Sequence, residues 1–250
     1  MELHPLAVQF ASVADAYERG RPEYAPAVIG ATAAELGIQP GDAVLDLAAG
    51  TGKLTTALVE YGFDVLAVEP QEALRRVLRE KVGAARVRAG LAEQIPLADG
   101  SVAAVMIADA FHWFDRPRAL AEIRRVLAPG GGLALFNTVP DWSGASWAHE
   151  LGTMVAGSRP EHPNFDGRPW REFVREADGF AEPRQVRVTT YKPADAEGVL
   201  AYMASISWIA GLPEAQRGDA LARMREIVQG GETPEQFALH VDVGLSERLR

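Results

Sequence analysis

Val44-Leu45-Asp46-Leu47-Ala48-Ala49-Gly50-Thr51-Gly52-Lys53-Leu54 runs from an apolar stretch through a turn of small residues into a helical pattern. Consecutive apolar positions suit a strand covered on both faces, and small side chains after it let a ligand approach the backbone. A helix that opens directly after the turn offers unpaired N–H groups to such a ligand. The G-x-G-x-x-G spacing of a dinucleotide fingerprint is missing: Ala48 and Gly50 stand where its first glycines would be, and no third glycine follows at the required distance.

The pattern on either side repeats this unit. Ala43–Leu47, Val65–Val68, Arg86–Arg88, Val102–Ala108 and Leu133–Thr138 read as short strands, separated by segments with one apolar helical face. Those faces are Leu54, Leu58 and Val59, then Leu74, Val77 and Leu78, then Ala119, Leu120, Ile123, Val126 and Leu127. Pro129-Gly130-Gly131-Gly132 is expected to stop the last of these helices. Alternating strands and helices predict an α/β fold with a parallel sheet. Beyond Pro140 the pattern loosens through DWSGASW and SRPEHPNFDGRPW, a stretch read as too irregular for core and expected to cap a pocket. Order returns with a strand at Gln185–Tyr191, helices carrying Leu200, Met203 and Ile206 and then Leu221, Met224, Ile227 and Val228, and a closing alternation at Phe237, Leu239, Val241 and Val243.

Two acids flank the small-residue turn. Asp46 lies on the first strand and Glu69 ends the second, in Val68-Glu69-Pro70. In a doubly wound sheet both fall at the carboxyl edge beside the point where strand order reverses, which is where ligands bind. Glu69 there can accept from both hydroxyls of a ribose, and Asp46 can hold an ammonium group directly or through water. Taken singly, either acid reads as a solvated or capping residue; their joint placement points to a nucleoside that carries an amine.

Composition bounds the rest. The chain has 250 residues, 48% of them hydrophobic, enough for one globular domain with a substantial core. It has no cysteine, which excludes disulfides, thiolate nucleophiles and Cys-bearing zinc sites. With 34 acidic and 25 basic residues the formal net charge is -9, opposed to nucleic acid or an anionic membrane as partner. The five histidines show no paired ligand spacing, and no metal is expected. The first residues, MELHPLAVQF, have neither the basic start nor the apolar run of a targeting segment, so a cytoplasmic location is expected. No apolar run approaches the ~20 residues of a membrane span.

Four stretches together carry a family resemblance: DLAAGTGKLT, VLAVEP, GLAEQIPLADGSVAAVMIADAFHWFD and RRVLAPGGGLAL. In this order and spacing the chain resembles the class I S-adenosylmethionine (SAM)-dependent methyltransferases, in the small-molecule branch with ubiquinone-biosynthesis-like and trans-aconitate-like enzymes. The match spans about residues 8 to 140. It implies a Rossmann-like, seven-stranded, mostly parallel sheet with helices on both faces and an antiparallel last strand. It also implies one domain over 1–250, in which 8–140 bind SAM and 141–235, the insert and C-terminal helices, cover the substrate.

The site residues implied by the resemblance follow the motifs. Ala48, Ala49, Gly50, Thr51 and Gly52 hold the methionine end, with Asp46 beneath them and Glu69 on the ribose. Pro70 and Gln71 line the adenosine, Ala92 and Glu93 border the adenine, and Ala108 with Phe111 closes the site. Tyr17 and Arg21, in Tyr17-Glu18-Arg19-Gly20-Arg21-Pro22-Glu23-Tyr24, resemble a lead-in that can fold over the cofactor and meet its carboxylate. The sequence departs from the family at Ala48, usually Gly, and at Leu91, where a polar residue often stands. Ala48 adds one methyl, expected to be tolerated if its φ is negative.

The implied reaction is transfer of the SAM methyl group to a small organic acceptor, first at oxygen, with nitrogen or carbon as alternatives, leaving S-adenosylhomocysteine. Such a displacement needs alignment, water exclusion and, for some acceptors, removal of a proton. His112 is the best-placed imidazole for a base, and Trp113, Trp142 and Trp147 are candidate aromatic walls for the acceptor. Arg116, Arg118, Arg124 and Arg125 read as a solvated helix face balanced by Glu122. The alternative is a protein that binds SAM without methyl transfer, in a regulatory role or in other SAM chemistry. Oligomeric state is not legible.

Overall fold

A computed structural model describes residues 18, 20, 21, 23–143, 146–157, 168–193, 196–230 and 236–250. Strand β1 (Ala43–Leu47) leads into α2 (Lys53–Tyr61), after a first helix α1 (Pro26–Leu36). Then come β2 (Asp64–Val68), α3 (Glu72–Val82), β3 (Val87–Arg88), β4 (Val102–Ala108), α4 (Arg116–Val126) and β5 (Leu127–Pro140). The chain continues with α5 (Ser146–Gly157), α6 (Trp170–Glu176), β6 (Arg184–Pro193), α7 (Ala196–Ala204), α8 (Ser207–Ala210), α9 (Glu214–Gly230) and β7 (Gln236–Glu247).

The seven strands form one sheet in the order β3-β2-β1-β4-β5-β7-β6, with β1, β2, β3, β4 and β5 pairing in parallel. Strand β7 is antiparallel: its Arg248 end pairs with Gly130 and Gly131 at the start of β5, and Ala238 accepts the Asp141 N–H just past the end of β5. The strand order reverses between β1 and β4, so the crevice lies at the carboxyl ends of these two neighbours.

Alternation along each strand divides the core. Leu45, Leu47, Val105, Ile107, Leu133 and Leu135 point to one side and pack with Ala119, Leu120, Ile123 and Val126 of α4. Their neighbours Val44, Ala104, Met106, Ala134 and Phe136 point to the other and meet α1 and α2. The close packing of α1 on the sheet needs a residue without Cβ at Gly132, where one would come within 2.6 Å of Leu36. Pro129-Gly130-Gly131-Gly132 does not stand between helix and strand as expected: α4 ends at Val126, and these residues already belong to β5.

The chain divides into two compact units. One comprises residues 23–138, 167–188 and 241–250; the other comprises 1–22, 139–166 and 189–240. The first contains the β1-to-β4 crevice. In the second, Trp147, Ala148, Leu151 and Val155 of α5 pack with Met203 of α7 and Met224 and Val228 of α9. Part of the stretch after Pro140, read as too irregular for core, therefore supplies core: a turn at Trp142 and Ser143 comes before a helix whose apolar face, beginning with Trp147, is buried, while residues 158–167 lie outside the described residues. Gly152 lies against the Trp142 ring, 2.8 Å from where its Cβ would be. Among the described residues no helix is long and apolar enough to cross a membrane.

Candidate active site at the β1–β4 crevice

The turn after β1 is held in an unusual backbone state. Gly50 and Gly52 adopt φ of 58° and 89°, and Ala48 adopts φ of 61°, so the condition under which its methyl is expected to be tolerated, a negative φ, is not met. Only one other non-glycine among the described residues has positive φ: Asp109, at 49°, directly after β4. Both strained residues thus end the two strands at which the sheet order reverses. Strain of this kind costs about 1–3 kcal/mol per residue and collects at functional sites. Asp109 holds its place by accepting the Thr138 N–H at 3.1 Å and donating its own to Phe136.

The glycines have distinct reasons. A Cβ on Gly52 would sit 2.5 Å from Leu78 Cδ1, so this residue lets α3 pack against the start of α2. Among the described residues a Cβ on Gly50 would meet nothing within 4 Å, which leaves open space on that side of the turn.

Asp46 is 1% exposed, and Thr55 Oγ1 donates to its Oδ2 at 2.6 Å. Its Oδ1 is buried and has no hydrogen-bond partner among the described residues. Burial pushes the Asp46 pKa up to about 7, opposed by the Thr55 hydroxyl and reinforced by the charge of Glu69. Glu69 is 3% exposed, with Oε2 accepting the Gly50 N–H at 3.0 Å and Oε1 the Gln71 N–H at 2.9 Å. Burial raises its pKa too, against those two N–H groups and the Arg75 guanidinium. Each Glu69 oxygen retains a second lone pair for another donor.

Arg75 was not legible as a site residue, yet it shapes this corner. Its Nη1 donates to the carbonyls of Glu69 (2.8 Å) and Pro70 (2.5 Å), and its Nε reaches Glu72 at 3.1 Å. The acidic turn after β2 is thereby fixed from the first helical turn beyond it. The available signal was an arginine six residues past the acid, on the apolar side of α3 with Leu74 and Leu78.

Ala92 is buried beneath the segment after β3, packed with Ile95. Glu93 turns its Oε1 to the Asp115 N–H at 2.8 Å, which ties this segment to the start of α4. Phe111 is buried and meets Phe114 edge-on, with ring centroids 6.0 Å apart. The His112 ring is tilted against Trp113, with centroids 4.6 Å apart. Lys53, buried at the start of α2, lies 3.8 Å from Glu23. The structure therefore brings Asp46, Ala48 to Gly52, Glu69, Pro70 and Gln71 to one corner of the crevice.

Other expected residues fall in the second unit or outside the description. Arg21 stacks over the Tyr202 ring at 5.1 Å, and neighbouring Gly20 lies so close to Ala201 that a Cβ would overlap its carbonyl. Trp142 packs against the core of that unit, and Trp147, 2% exposed, is inside it. Tyr17 lies outside the described residues. Among the described residues no group of three or more His, Asp or Glu side chains could hold a metal ion.

The chain is 40% identical over 228 residues to the uncharacterized methyltransferase Rv3342 of Mycobacterium tuberculosis, covering 89% of this chain and 86% of that one. The chain belongs to the class I SAM-dependent methyltransferases. Residues 45–135 of this methyltransferase match the family described as Methyltransferase domain, from β1 into β5. The enzyme is also 34% identical over 219 residues to the uncharacterized methyltransferase-like C25B8.10 of Schizosaccharomyces pombe, covering 87% and 84% of the two chains. A chain from Anaeromyxobacter dehalogenans assigned as a Type II methyltransferase has the same fold, with a TM-score of 0.64 at 24% identity over 92% of this chain and 97% of that one.

Proposed function

We propose that the methyltransferase binds SAM at the β1–β4 crevice and methylates a small organic acceptor in the cytoplasm, first at oxygen. The observation that carries the reading is the pair of buried carboxylates around the small-residue turn. Asp46 keeps a buried oxygen without a partner, and such an atom is costly unless a donor reaches it. The cofactor's ammonium is a donor of the right charge, taken directly or through one water. Glu69 has lone pairs left for two ribose hydroxyls, and the open side of Gly50 leaves the turn approachable. The residues present therefore fit the cofactor.

When bound, SAM supplies an activated methyl group on its sulfonium. The protein's part is to align the partners and exclude water. Pro70, Gln71, Ala92 and Glu93 are assigned to the adenosine, and Ala108 and Phe111 to closure after β4. His112 is assigned as the base for acceptors that must lose a proton, with Trp113 beside it. Acceptor choice is assigned to residues 141–235, outside the cofactor-binding core.

Calorimetric titration with SAM, with NAD as the control ligand, tests the reading on protein confirmed by mass spectrometry to be free of cofactor. One-site SAM binding without an NAD response is expected, followed by S-adenosylhomocysteine formation with an acceptor. Absence of SAM binding by the folded, ligand-free protein would overturn it.

A further inference from the structure

Helix α4 grips the segment that follows the Ala92-Glu93 pair. Glu122 accepts the Ile95 N–H through Oε2 at 2.9 Å and takes the Arg125 Nε on its other oxygen at 2.8 Å. Arg125 Nη2 also donates to Glu122 Oε2 at 2.8 Å, and its other donors spread over the same loop. Its Nη2 donates to the Ile95 carbonyl at 2.9 Å, and its Nη1 to the Leu97 carbonyl and to Asp99 Oδ1, each at 2.8 Å. The Gly100 N–H closes on the Arg125 carbonyl at 2.9 Å. At the opposite end of α4, the Asp115 N–H donates to Glu93.

This arrangement differs from the solvated face expected of these side chains. An isolated surface ion pair contributes little, whereas a guanidinium fork that takes backbone carbonyls fixes a loop in one register. Hydrogen bonding and charge from Arg125 hold the Glu122 carboxyl below the usual carboxylate range. Underneath, Ala92 and Ile95 pack in the cluster that contains Ile123 and Val126. Apolar burial thus sets the depth of the segment, and the polar clamp sets its position along the helix.

Leu91 makes that position matter. The Leu91 side chain donates and accepts nothing, so recognition of a base beside this segment falls to backbone groups, and a backbone group is aimed only as well as its loop is held. We propose that Glu122 and Arg125 are positioning residues for the purine end of the cofactor, aiming the Ala92-Glu93 backbone and setting the preference for adenine. The proposal rests on the SAM reading of the site.

The test compares two ligands on the whole chain: S-adenosylhomocysteine and S-inosylhomocysteine, which carries a carbonyl where adenine has its amino group. The unmodified protein is expected to favour the adenine ligand by about tenfold, the worth of one well-aimed hydrogen bond. Arg125→Met weakens the adenine ligand and collapses that ratio towards one, and Arg125→Lys restores part of it. Equal weakening of both ligands, or no change in either, would assign Arg125 to stability alone and overturn the proposal. If Arg125→Met does not fold, Glu122→Gln reads the same ratio, because it removes the charge that orients the fork. Lack of binding of either ligand by the unmodified protein would remove the SAM reading itself, an outcome distinct from binding with an unchanged ratio in the variants.

Discussion

Glu69 accepts the Gly50 backbone N–H at 3.0 Å, so the acid that ends β2 also holds the turn that follows β1. Its other oxygen takes the Gln71 N–H. One carboxylate thereby closes the backbone of the site while each of its oxygens keeps a lone pair for a further donor.

Replacing Glu69 with Ala is expected to weaken SAM binding by more than tenfold and to lower stability by about 1–3 kcal/mol, since two partly buried N–H groups lose their acceptor. Calorimetry and denaturant unfolding check the two effects separately. Unchanged SAM affinity would remove Glu69 from the ribose.

Asp46 is the expected source of a pH dependence. Its folded-state pKa of about 7 stands above the ordinary 3.8, so the folded protein keeps a proton that the unfolded chain has released. The stabilisation is complete below about pH 4 and is lost as pH rises through about 7. The melting temperature should fall over that window, and Asp46→Asn should flatten the slope. Binding of a cationic ammonium has the opposite sign: it favours the ionised carboxylate, so SAM affinity should rise with pH through about 7 and be accompanied by proton release. Equal apparent binding enthalpies in buffers of different ionisation enthalpy would contradict this.

Ala48→Gly should stabilise the protein by about 1 kcal/mol, because glycine adopts positive φ without the Cβ clash. In a chain of this length that raises the melting temperature by about 2–4 °C. A fall in melting temperature would show that the Ala48 methyl contributes packing that outweighs its strain.

Gly52→Ala should have the reverse effect, destabilising by about 1–3 kcal/mol through overpacking against Leu78 and a left-handed backbone. Leu78→Ala in the same chain should recover only the packing part. Equilibrium unfolding of the single and double variants measures the coupling.

His112→Ala should leave SAM affinity unchanged and slow turnover of an acceptor that must lose a proton, with rescue at high pH. Unimpaired turnover would reduce His112 to a packing partner of Trp113.

The sheet was legible because its signals are local. Ala43–Leu47 and Val102–Ala108 coincide with β1 and β4 to the residue, since an apolar run between breakers leaves few alternatives. The acids Asp46 and Glu69 were legible as a pair because a doubly wound sheet places strand ends side by side. Less was visible where a side chain answers to a distant backbone. Arg125 read as part of a solvated helix face and Arg75 was not singled out, since nothing near them in sequence shows that their donors end on the carbonyls of Pro70 or Leu97. Trp147 read as part of an irregular stretch because its burial depends on Met203 and Met224, more than fifty residues away.

Legible from the sequence were the alternating architecture, the small-residue turn with its two acids, and membership of the methyltransferase family. Hydrophobic periodicity and short motifs encode these within a few residues of one another. Tertiary structure alone decided that Ala48 is left-handed, that the Asp46 Oδ1 is buried without a partner, and that α4 clamps the loop after Ala92. Backbone strain, desolvation and hydrogen-bond satisfaction are properties of the surroundings of a group, and those surroundings come from segments that meet only when the chain has folded.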